Sequence, residues 1–421
     1  MLNAAQFAHA AQVLAAIVEG PTPADRQMDR HFRANPRLGA RDRGAIAEVV
    51  YACLRRFGLP RHLVGAAGPA DAWLAVHLLR EGLSARALEQ LRYRGGDALA
   101  APGLAARLRA LDQATLPRPV RLDLPDWLLA RLDAQLGADD AEALAAALQR
   151  PAPLDLRINP LRSDREAVRA RLAAEGQVLE PTPYSPLGLR RADRAPLFQT
   201  AAFRDGLFEV QDEGSQLLGL LVEARRRETV VDYCAGAGGK ALQLAAQMAN
   251  TGAVYALDVA AHRLERIRPR LRRAGVDNVQ PIAITGADDP RVGRLRGKAD
   301  RVLVDAPCSG TGTLRRNPDI KWRPLDLDAL TAGQRAILEA AAALVRPGGR
   351  LVYATCSLLR EENEDVVEAF LAAHPRFHLA SVSDILARRQ VVLPATGDCL
   401  RLWPHRHGTD GFFAAVMENA A

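Results

Sequence analysis

Residues 228–249, ETVVDYCAGAGGKALQLAAQMA, carry the clearest signal of the fold. Its β-branched start predicts a buried strand, the glycines after Cys234 predict a tight turn, and the Ala- and Leu-rich end predicts a helix. Glycine lets the backbone turn sharply and approach a ligand closely, and the N-terminus of the next helix offers free N–H donors. A strand, a glycine loop and a helix in this order are typical of an α/β domain that binds a nucleoside cofactor.

A second strand is predicted over residues 253–259, and it carries Asp258. This acid follows Gly236 at the offset of about 20 residues that suits a carboxylate bound to ribose hydroxyls. The same geometry serves NAD and S-adenosylmethionine, and residues 236–241 also match the GxGxxA pattern of dehydrogenases. A P-loop is excluded, because Lys240 is followed by Ala and position 234 is Cys. The loop alone therefore does not choose between the two cofactors.

Two cysteines follow two further predicted strands. The run RVLVDAPCSGTG, residues 301–312, places Asp305 and Cys308 after one strand, and Cys356 follows a strand over residues 350–354. A helix over about 327–345 and a turn at 346–349 separate these strands. Because ligands of open α/β sheets bind at the carboxyl ends of the strands, both thiols are predicted at the ligand edge. Neither cysteine lies in a short pair typical of zinc ligands, so we expect no metal.

Composition indicates an ordinary globular protein. The chain has 421 residues, of which 48% are hydrophobic and 25% are charged, and its formal net charge is +7. These values exclude disorder, and no apolar run reaches the length of about 20 residues that spans a membrane. The N-terminus lacks signal-peptide features, and five cysteines without a CxxC pair argue against a disulfide framework. We therefore expect a cytoplasmic protein with reduced thiols.

The chain divides into three predicted domains. Residues 1–145 show helical periodicity throughout, and residues 146–225 combine short strand-like pieces with a helix in a small α+β module. Residues 226–421 alternate strands with helices, which predicts βαβ units and a parallel sheet.

Four motifs resemble the RsmB/NOL1/NOP2/Sun family of RNA (cytosine-5)-methyltransferases. They are DYCAGAGGK at 232–240, LVDAPCSGTG at 303–312, RRNPDIKWR at 315–323 and TCS at 355–357. Upstream, RINP at 157–160 and VQDEGSQ at 210–216 resemble the RNA-binding module of that family, and the helical N-terminus resembles the NusB-like domain of its bacterial RsmB branch. The resemblance implies a Rossmann-like class I methyltransferase domain, preceded by an all-α NusB-like domain and a small α+β RNA-binding module.

The resemblance also implies the catalytic roles. Cys356 is expected to attack C6 of a cytosine, Cys308 to assist release of the product, and Asp305 to hydrogen-bond the base. The residue types alone would allow either order of the two cysteines.

The implied S-adenosylmethionine site draws on the glycine loop and three acids. Its expected residues are Cys234, Ala235, Gly236, Ala237, Gly238, Gly239, Lys240, Asp258, Asp288 and Asp305. Two departures from the family pattern stand out: the loop is CAGAGGKA where the family usually has CAAPGGKT, and the acid after the third strand is shifted to Asp288.

A basic, aromatic stretch follows the strand that leads to Cys308. Its members are Arg315, Arg316, Lys321, Trp322 and Arg323. Such a loop could hold phosphates and stack a base, and the alternative is a solvated turn with Trp322 in the core.

The expected partner is RNA, with ribosomal RNA favoured over tRNA by the N-terminal resemblance. Two other classes of function compete with this interpretation. An NAD-dependent dehydrogenase would use the GxGxxA turn but would leave both cysteines unexplained, and a non-catalytic NusB-like factor would bind RNA without needing Cys356. We expect a monomer that binds neither a membrane nor a metal.

Overall fold

The computed structural model describes residues 2–193, 195–394 and 397–421. These residues belong to two units. Unit 1 holds the chain up to Pro151 together with Thr313–Leu325, and unit 2 holds Ala152–Gly312 and Asp326–Ala421.

Unit 1 is built from helices and turns over its described residues. The α-helices are α1 (Ala4–Glu19), α2 (Ala24–Ala34), α3 (Ala40–Arg55), α4 (Gly58–Val64), α5 (Ala70–Arg80), α6 (Ala85–Gln90), α7 (Ala101–Ala110), α8 (Arg118–Leu122), α9 (Asp126–Leu136) and α10 (Ala138–Leu148). Helix α1 begins with a capping box, in which Asn3 and Gln6 satisfy each other's backbone N–H groups. Apolar faces of α1, α3 and α5 meet in a buried core.

The segment 313–325 packs within unit 1, although it falls inside the predicted domain 226–421. The indole N–H of Trp322 donates to the Leu54 carbonyl at 2.7 Å, and its ring meets Phe57 edge-on at 5.6 Å. Lys321 is only 2% exposed, and its Nζ donates to the carbonyls of Arg55 and Asp123. These two side chains are therefore committed to packing.

The predicted role of 315–323 in holding phosphates and stacking a base is thus wrong for Lys321 and Trp322. The core position for Trp322, which was the alternative, is what the structure has. The physical reason is that unit 1 supplies backbone carbonyls for both donors.

Unit 2 begins with a small antiparallel sheet in the order β2-β3-β1-β4. Its elements are β1 (Leu154–Ile158), α11 (Arg165–Ala174), β2 (Glu180–Pro181), β3 (Gly188–Arg191), α12 (Ala201–Arg204) and β4 (Phe208–Val210). Asp164 caps α11 by accepting the Ala167 N–H. Apolar residues of both helices cover one face of this sheet.

The rest of unit 2 alternates strands with helices. The elements are α13 (Glu213–Leu221), β5 (Thr229–Asp232), α14 (Gly239–Gln247), β6 (Ala253–Asp258), α15 (Ala261–Leu264), α16 (Ile267–Ala274), β7 (Val279–Ala283), α17 (Pro290–Gly293), β8 (Ala299–Asp305), α18 (Leu327–Ala342), β9 (Val345–Thr355), α19 (Glu364–Ala373), β10 (Phe377–Leu379), α20 (Val382–Arg388), β11 (Cys399–Leu402), α21 (Pro404–His407) and β12 (Phe412–Asn419).

The larger sheet has the order β10-β12-β9-β8-β5-β6-β7, and β11 pairs with β12 at the side. Strands β5 to β9 are parallel, as predicted, but β12 runs antiparallel to β9, β10 and β11. The sheet is therefore mixed, and the prediction of a parallel sheet over all of 226–421 is wrong at its C-terminal edge. The arrangement is a Rossmann-like fold, with buried apolar clusters that contain residues of the sheet and its helices.

The predicted turn at 346–349 lies within β9. Val345 pairs with Ala299 and Arg350 with Arg301, so the four residues between them bulge out of the ladder. In the described residues, no helix combines the length and apolar character that crossing a bilayer requires.

Candidate active site

The carboxyl ends of β5, β6, β8 and β9 meet at one edge of the larger sheet and border a cavity of about 440 Å³. The residues lining it are Tyr233, Cys234, Asp258, Val259, Arg263, Ile284, Gly286, Ala287, Asp305, Ala306, Pro307, Cys308, Ala336, Ile337 and Cys356. Parallel strands direct their carboxyl ends to the same edge, which is why residues so distant in sequence converge here.

The glycine loop borders this cavity and needs glycine at two positions. Gly236 and Gly238 have φ of +54° and +79°, in the left-handed region that side chains disfavour. A Cβ on Gly238 would also lie 2.8 Å from Cγ1 of Ile267. The loop is therefore a tight turn into α14, and the departure from the family pattern leaves that turn intact.

Asp258 ties the loop to the end of β6. It is 5% exposed, and its carboxylate accepts the N–H groups of Gly236 and Ala260, each at 2.7 Å. The Arg263 guanidinium lies 3.8 Å from the same carboxylate and also lines the cavity. A carboxylate has about four lone-pair directions, so Asp258 keeps acceptor capacity for a ligand hydroxyl.

Lys240 and Asp305 form an ion pair at this edge. The Nζ of Lys240 lies 2.6 Å from Oδ2 of Asp305, and the Asp305 side chain is 34% exposed. Burial, and next the charge of Asp305, raise the pKa of the neighbouring Asp232 to about 7, although Lys240 opposes this. Lysine thus positions the carboxylate that lines the cavity.

The two predicted thiols are neighbours. The Sγ atoms of Cys308 and Cys356 lie 3.4 Å apart, within hydrogen-bond contact for sulfur, and both cysteines line the cavity. The hydrogen bond with Cys356, and then burial, raise the pKa of the Cys308 thiol well above its usual value. The neighbouring sulfur and burial thus both favour the protonated form of Cys308.

The structure brings most of the predicted site residues together. Cys234, Asp258, Asp305, Cys308 and Cys356 line the cavity, and Ala235, Gly236, Ala237, Gly238, Gly239 and Lys240 form the turn beside it. Asp288 is exposed and is not among the lining residues, whereas Gly286 and Ala287 are. Its predicted contact with the cofactor stays a prediction.

Sequence reasoning missed two residues at this site. Arg263 is the third residue of α15, the short helix after Asp258, and a basic residue so close to the end of β6 could have been noticed. Glu362 lies six residues after Cys356 in the acidic run EENE, and its role emerges only from contacts with residues elsewhere in the chain.

The cavity suits a nucleoside cofactor with an amino-acid end. The N-terminus of α14, a buried carboxylate at the end of β6 and an apolar lining are features that suit such a ligand. No group of side chains that could hold a metal ion occurs among the residues that the structure describes.

Two family models match the chain. The model described as 16S rRNA methyltransferase RsmB/F matches residues 219–418, and the ferredoxin-like domain of RsmF/B-like methyltransferases matches residues 124–196. The first covers the larger sheet with its cavity, and the second includes β1, β2, β3 and α11 of the small sheet.

Curated relatives agree with these matches. The chain is 34% identical over 313 residues to a probable ribosomal RNA small subunit methyltransferase B from Synechocystis, an alignment that covers 74% of this chain and 70% of the relative. It is also 34% identical to ribosomal RNA small subunit methyltransferase F from Klebsiella pneumoniae, over 69% of this chain and 62% of that protein. Among solved structures, PH0851 is 28% identical with a TM-score of 0.80, and the match covers 98% of both chains.

Proposed function

The chain belongs to the RsmB/F family of 16S rRNA methyltransferases, S-adenosylmethionine-dependent RNA (cytosine-5)-methyltransferases, and from this premise we propose that it methylates C5 of a cytosine in small-subunit ribosomal RNA through a covalent Cys356 adduct. The observation that carries the proposal is the pair of thiols 3.4 Å apart at the edge of the cavity, beside Asp305.

Cytosine C5 is a poor nucleophile, so the proposed reaction begins with a thiolate. The Cys356 sulfur forms a bond to C6, which places electron density on C5. When bound, S-adenosylmethionine would supply an electrophilic methyl group on its sulfonium for this carbon and would leave as S-adenosylhomocysteine. Loss of the C5 proton and cleavage of the bond between sulfur and C6 then restore the aromatic ring. One difficult substitution is divided into two easier steps.

The raised pKa of Cys308 supports the assignment of the two roles. A protonated Cys308 can donate its hydrogen to the Cys356 sulfur, which is the nucleophile in this proposal. Cys308 then lies next to the bond that must break, so we assign it to product release.

Asp305 is proposed to hydrogen-bond the cytosine as charge develops on the ring. Its carboxylate is held by Lys240, lines the cavity and stays partly exposed. A carboxylate already held in place here can accept hydrogens from the cytosine amino group, so the base is oriented without reorganisation during the reaction.

We propose that the methionine end of S-adenosylmethionine lies at the glycine loop and its ribose at Asp258. The N–H groups at the start of α14 favour the carboxylate of the cofactor. In this proposal residues 234–240 and Asp258 bind the cofactor, and Asp288 is the least supported member of the set because it is exposed.

The first experiment incubates the purified full chain with unmodified small-subunit ribosomal RNA and S-adenosylmethionine, followed by nucleoside mass spectrometry. We expect a gain of 5-methylcytidine that the Cys356→Ala variant abolishes. A gain only with tRNA would keep the chemistry and overturn the substrate. If neither RNA gains 5-methylcytidine although the protein binds RNA tightly, the alternative of a non-catalytic, NusB-like RNA-binding factor would be favoured.

A denaturing gel tests the two cysteine roles. We expect the Cys308→Ala variant to accumulate a covalent protein–RNA complex that migrates slowly, because release is impaired. The Cys356→Ala variant should form none. An adduct that persists in Cys356→Ala would show that the roles are reversed.

A further inference from the structure

A buried carboxylate lies behind the two thiols. Glu362 ends a short 3₁₀ turn, Arg360–Glu362, and none of its surface is exposed. A fully buried charge is costly unless strong hydrogen bonds satisfy it. Its partners therefore indicate why the fold retains it.

The carboxylate of Glu362 accepts four hydrogen bonds. Oε1 accepts the Ser309 N–H at 2.7 Å and Nε2 of Gln334 at 2.9 Å. Oε2 accepts the hydroxyl of Ser309 at 2.5 Å and also the hydroxyl of Ser357. Hydrogen bonds to a charged acceptor are the short, strong class.

Two of these partners are the residues that directly follow the thiols. Ser309 follows Cys308 and Ser357 follows Cys356, so one carboxylate oxygen joins the two cysteine loops. Gln334 extends the link to α18 and also donates to the Pro307 carbonyl, immediately before Cys308.

Further bonds fix the backbone of Glu362 and the residues around its carboxylate. The hydroxyl of Tyr353, on β9, donates to the backbone carbonyl of Glu362 at 2.7 Å. Thr311 contacts the Ser357 hydroxyl and accepts the Leu358 N–H at 2.9 Å. Glu362 is thus the centre of a rigid polar cluster and not a side chain that adapts to its surroundings.

We propose that Glu362 is a positioning residue that holds the Cys308 and Cys356 thiols at their mutual distance. The inference rests on the proposed function, because that function requires one thiol to act on a bond formed by the other. Glu362 touches no atom of the thiols; it acts through the two serines.

The first test uses thiol geometry alone. Dibromobimane bridges two neighbouring thiols by displacing both of its bromides, and mass spectrometry separates Cys308–Cys356 bridges from single adducts. We expect the ratio of bridged to singly alkylated protein to fall about tenfold in Glu362→Gln, because small errors in position strongly slow a two-point reaction. This measurement needs neither RNA nor cofactor.

The matched control is Glu368→Gln, an exposed carboxylate on α19 that pairs with Arg360. The control should bridge like the parent protein. An unchanged ratio in Glu362→Gln, or an equal fall in the control, would overturn the proposal. If Glu362→Gln does not fold, the Ser357→Ala variant takes its place, because it removes the hydroxyl that links the Cys356 loop to Glu362. An unchanged bridging ratio in Ser357→Ala would also overturn the proposal.

A methylation assay separates positioning from a general loss of fold. In Glu362→Gln we expect kcat to fall about tenfold while the KM for S-adenosylmethionine stays unchanged, because the cofactor residues lie elsewhere. An equal rise in KM would contradict a positioning role. If the parent protein shows no methylation at all, the proposed function fails, while the bridging ratio still decides the role of Glu362.

Discussion

Asp232 stands at the end of β5 with 1% of its surface exposed, beside the ion pair of Lys240 and Asp305. Because burial removes water from its carboxyl group and Asp305 repels its charge, the pKa of Asp232 rises to about 7. An ordinary aspartate ionises near pH 3.8, so between these two values the folded protein binds one proton more than the unfolded chain.

The raised pKa of Asp232 predicts how the Asp232→Asn variant changes the stability of the protein with pH. Since the folded state holds the extra proton, the parent protein loses stability as pH rises from about 4 to 7, and the neutral amide avoids that loss. Above pH 7 we expect the variant to gain on the order of 4 kcal/mol in free energy of unfolding over the parent, and near pH 4 almost nothing. Urea unfolding measures this difference at pH 4.5, near the lower end of that window, and at pH 8, above its upper end.

Asp300→Asn provides a control of opposite sign. Burial raises the pKa of Asp300, but hydrogen bonds from the Thr229 N–H and the Arg346 guanidinium outweigh burial and lower that pKa overall. This variant should therefore be less stable than the parent at neutral pH. If Asp232→Asn showed the same sign and the same pH dependence as Asp300→Asn, the account of Asp232 would be wrong.

At the scale of elements, the segment 313–325 supplies unit 1 with part of its core. Trp322 packs on Phe57 and donates to Leu54, and Lys321 caps two buried carbonyls. Burial lowers the pKa of Lys321 to about 8, although the nearby Asp123 opposes this. The segment is therefore a structural part of the helical unit.

We predict that Trp322→Ala destabilises unit 1 by about 3 kcal/mol, because it removes a large ring and leaves a cavity. Trp322→Phe keeps an aromatic ring beside Phe57 and loses the indole hydrogen bond, so it should cost about 1 kcal/mol. Denaturant unfolding followed by far-UV circular dichroism checks both values. Equal stabilities for the Ala variant and the parent would contradict the assignment.

The elements that sequence predicted well are those with a local signature. The glycine loop, strands β5, β6, β8 and β9, and the common edge of the thiols all follow from strand patterns and from the geometry of parallel sheets. The sequence allowed a core position for Trp322 but could not predict its partner, because Leu54 is 268 residues away. The same holds for Glu362 and Ser309, which are 53 residues apart.

At the scale of the whole molecule, the two units are not consecutive in sequence. The chain leaves unit 2 after Gly312, contributes 313–325 to unit 1 and returns at Asp326. A cut after Pro151 therefore does not separate two independent domains, because it leaves 313–325 without the helices on which it packs.

Limited trypsin digestion of the full chain and of residues 152–421 tests this organisation. In the full chain Arg315 and Lys321 are 7% and 2% exposed, so a protease that needs an extended, accessible segment should cut there slowly. In the truncated protein the carbonyls of Leu54, Arg55 and Asp123 are gone, and we expect rapid cleavage between 315 and 322.

The exposed turn at 225–227 is the internal control, since it should be cut at equal rates in both proteins. Because the residues around the cavity all belong to unit 2, the truncated protein should still bind S-adenosylhomocysteine before digestion. Resistance of 315–322 in the truncated protein, with normal cleavage at 225–227, would show that the segment is ordered without unit 1.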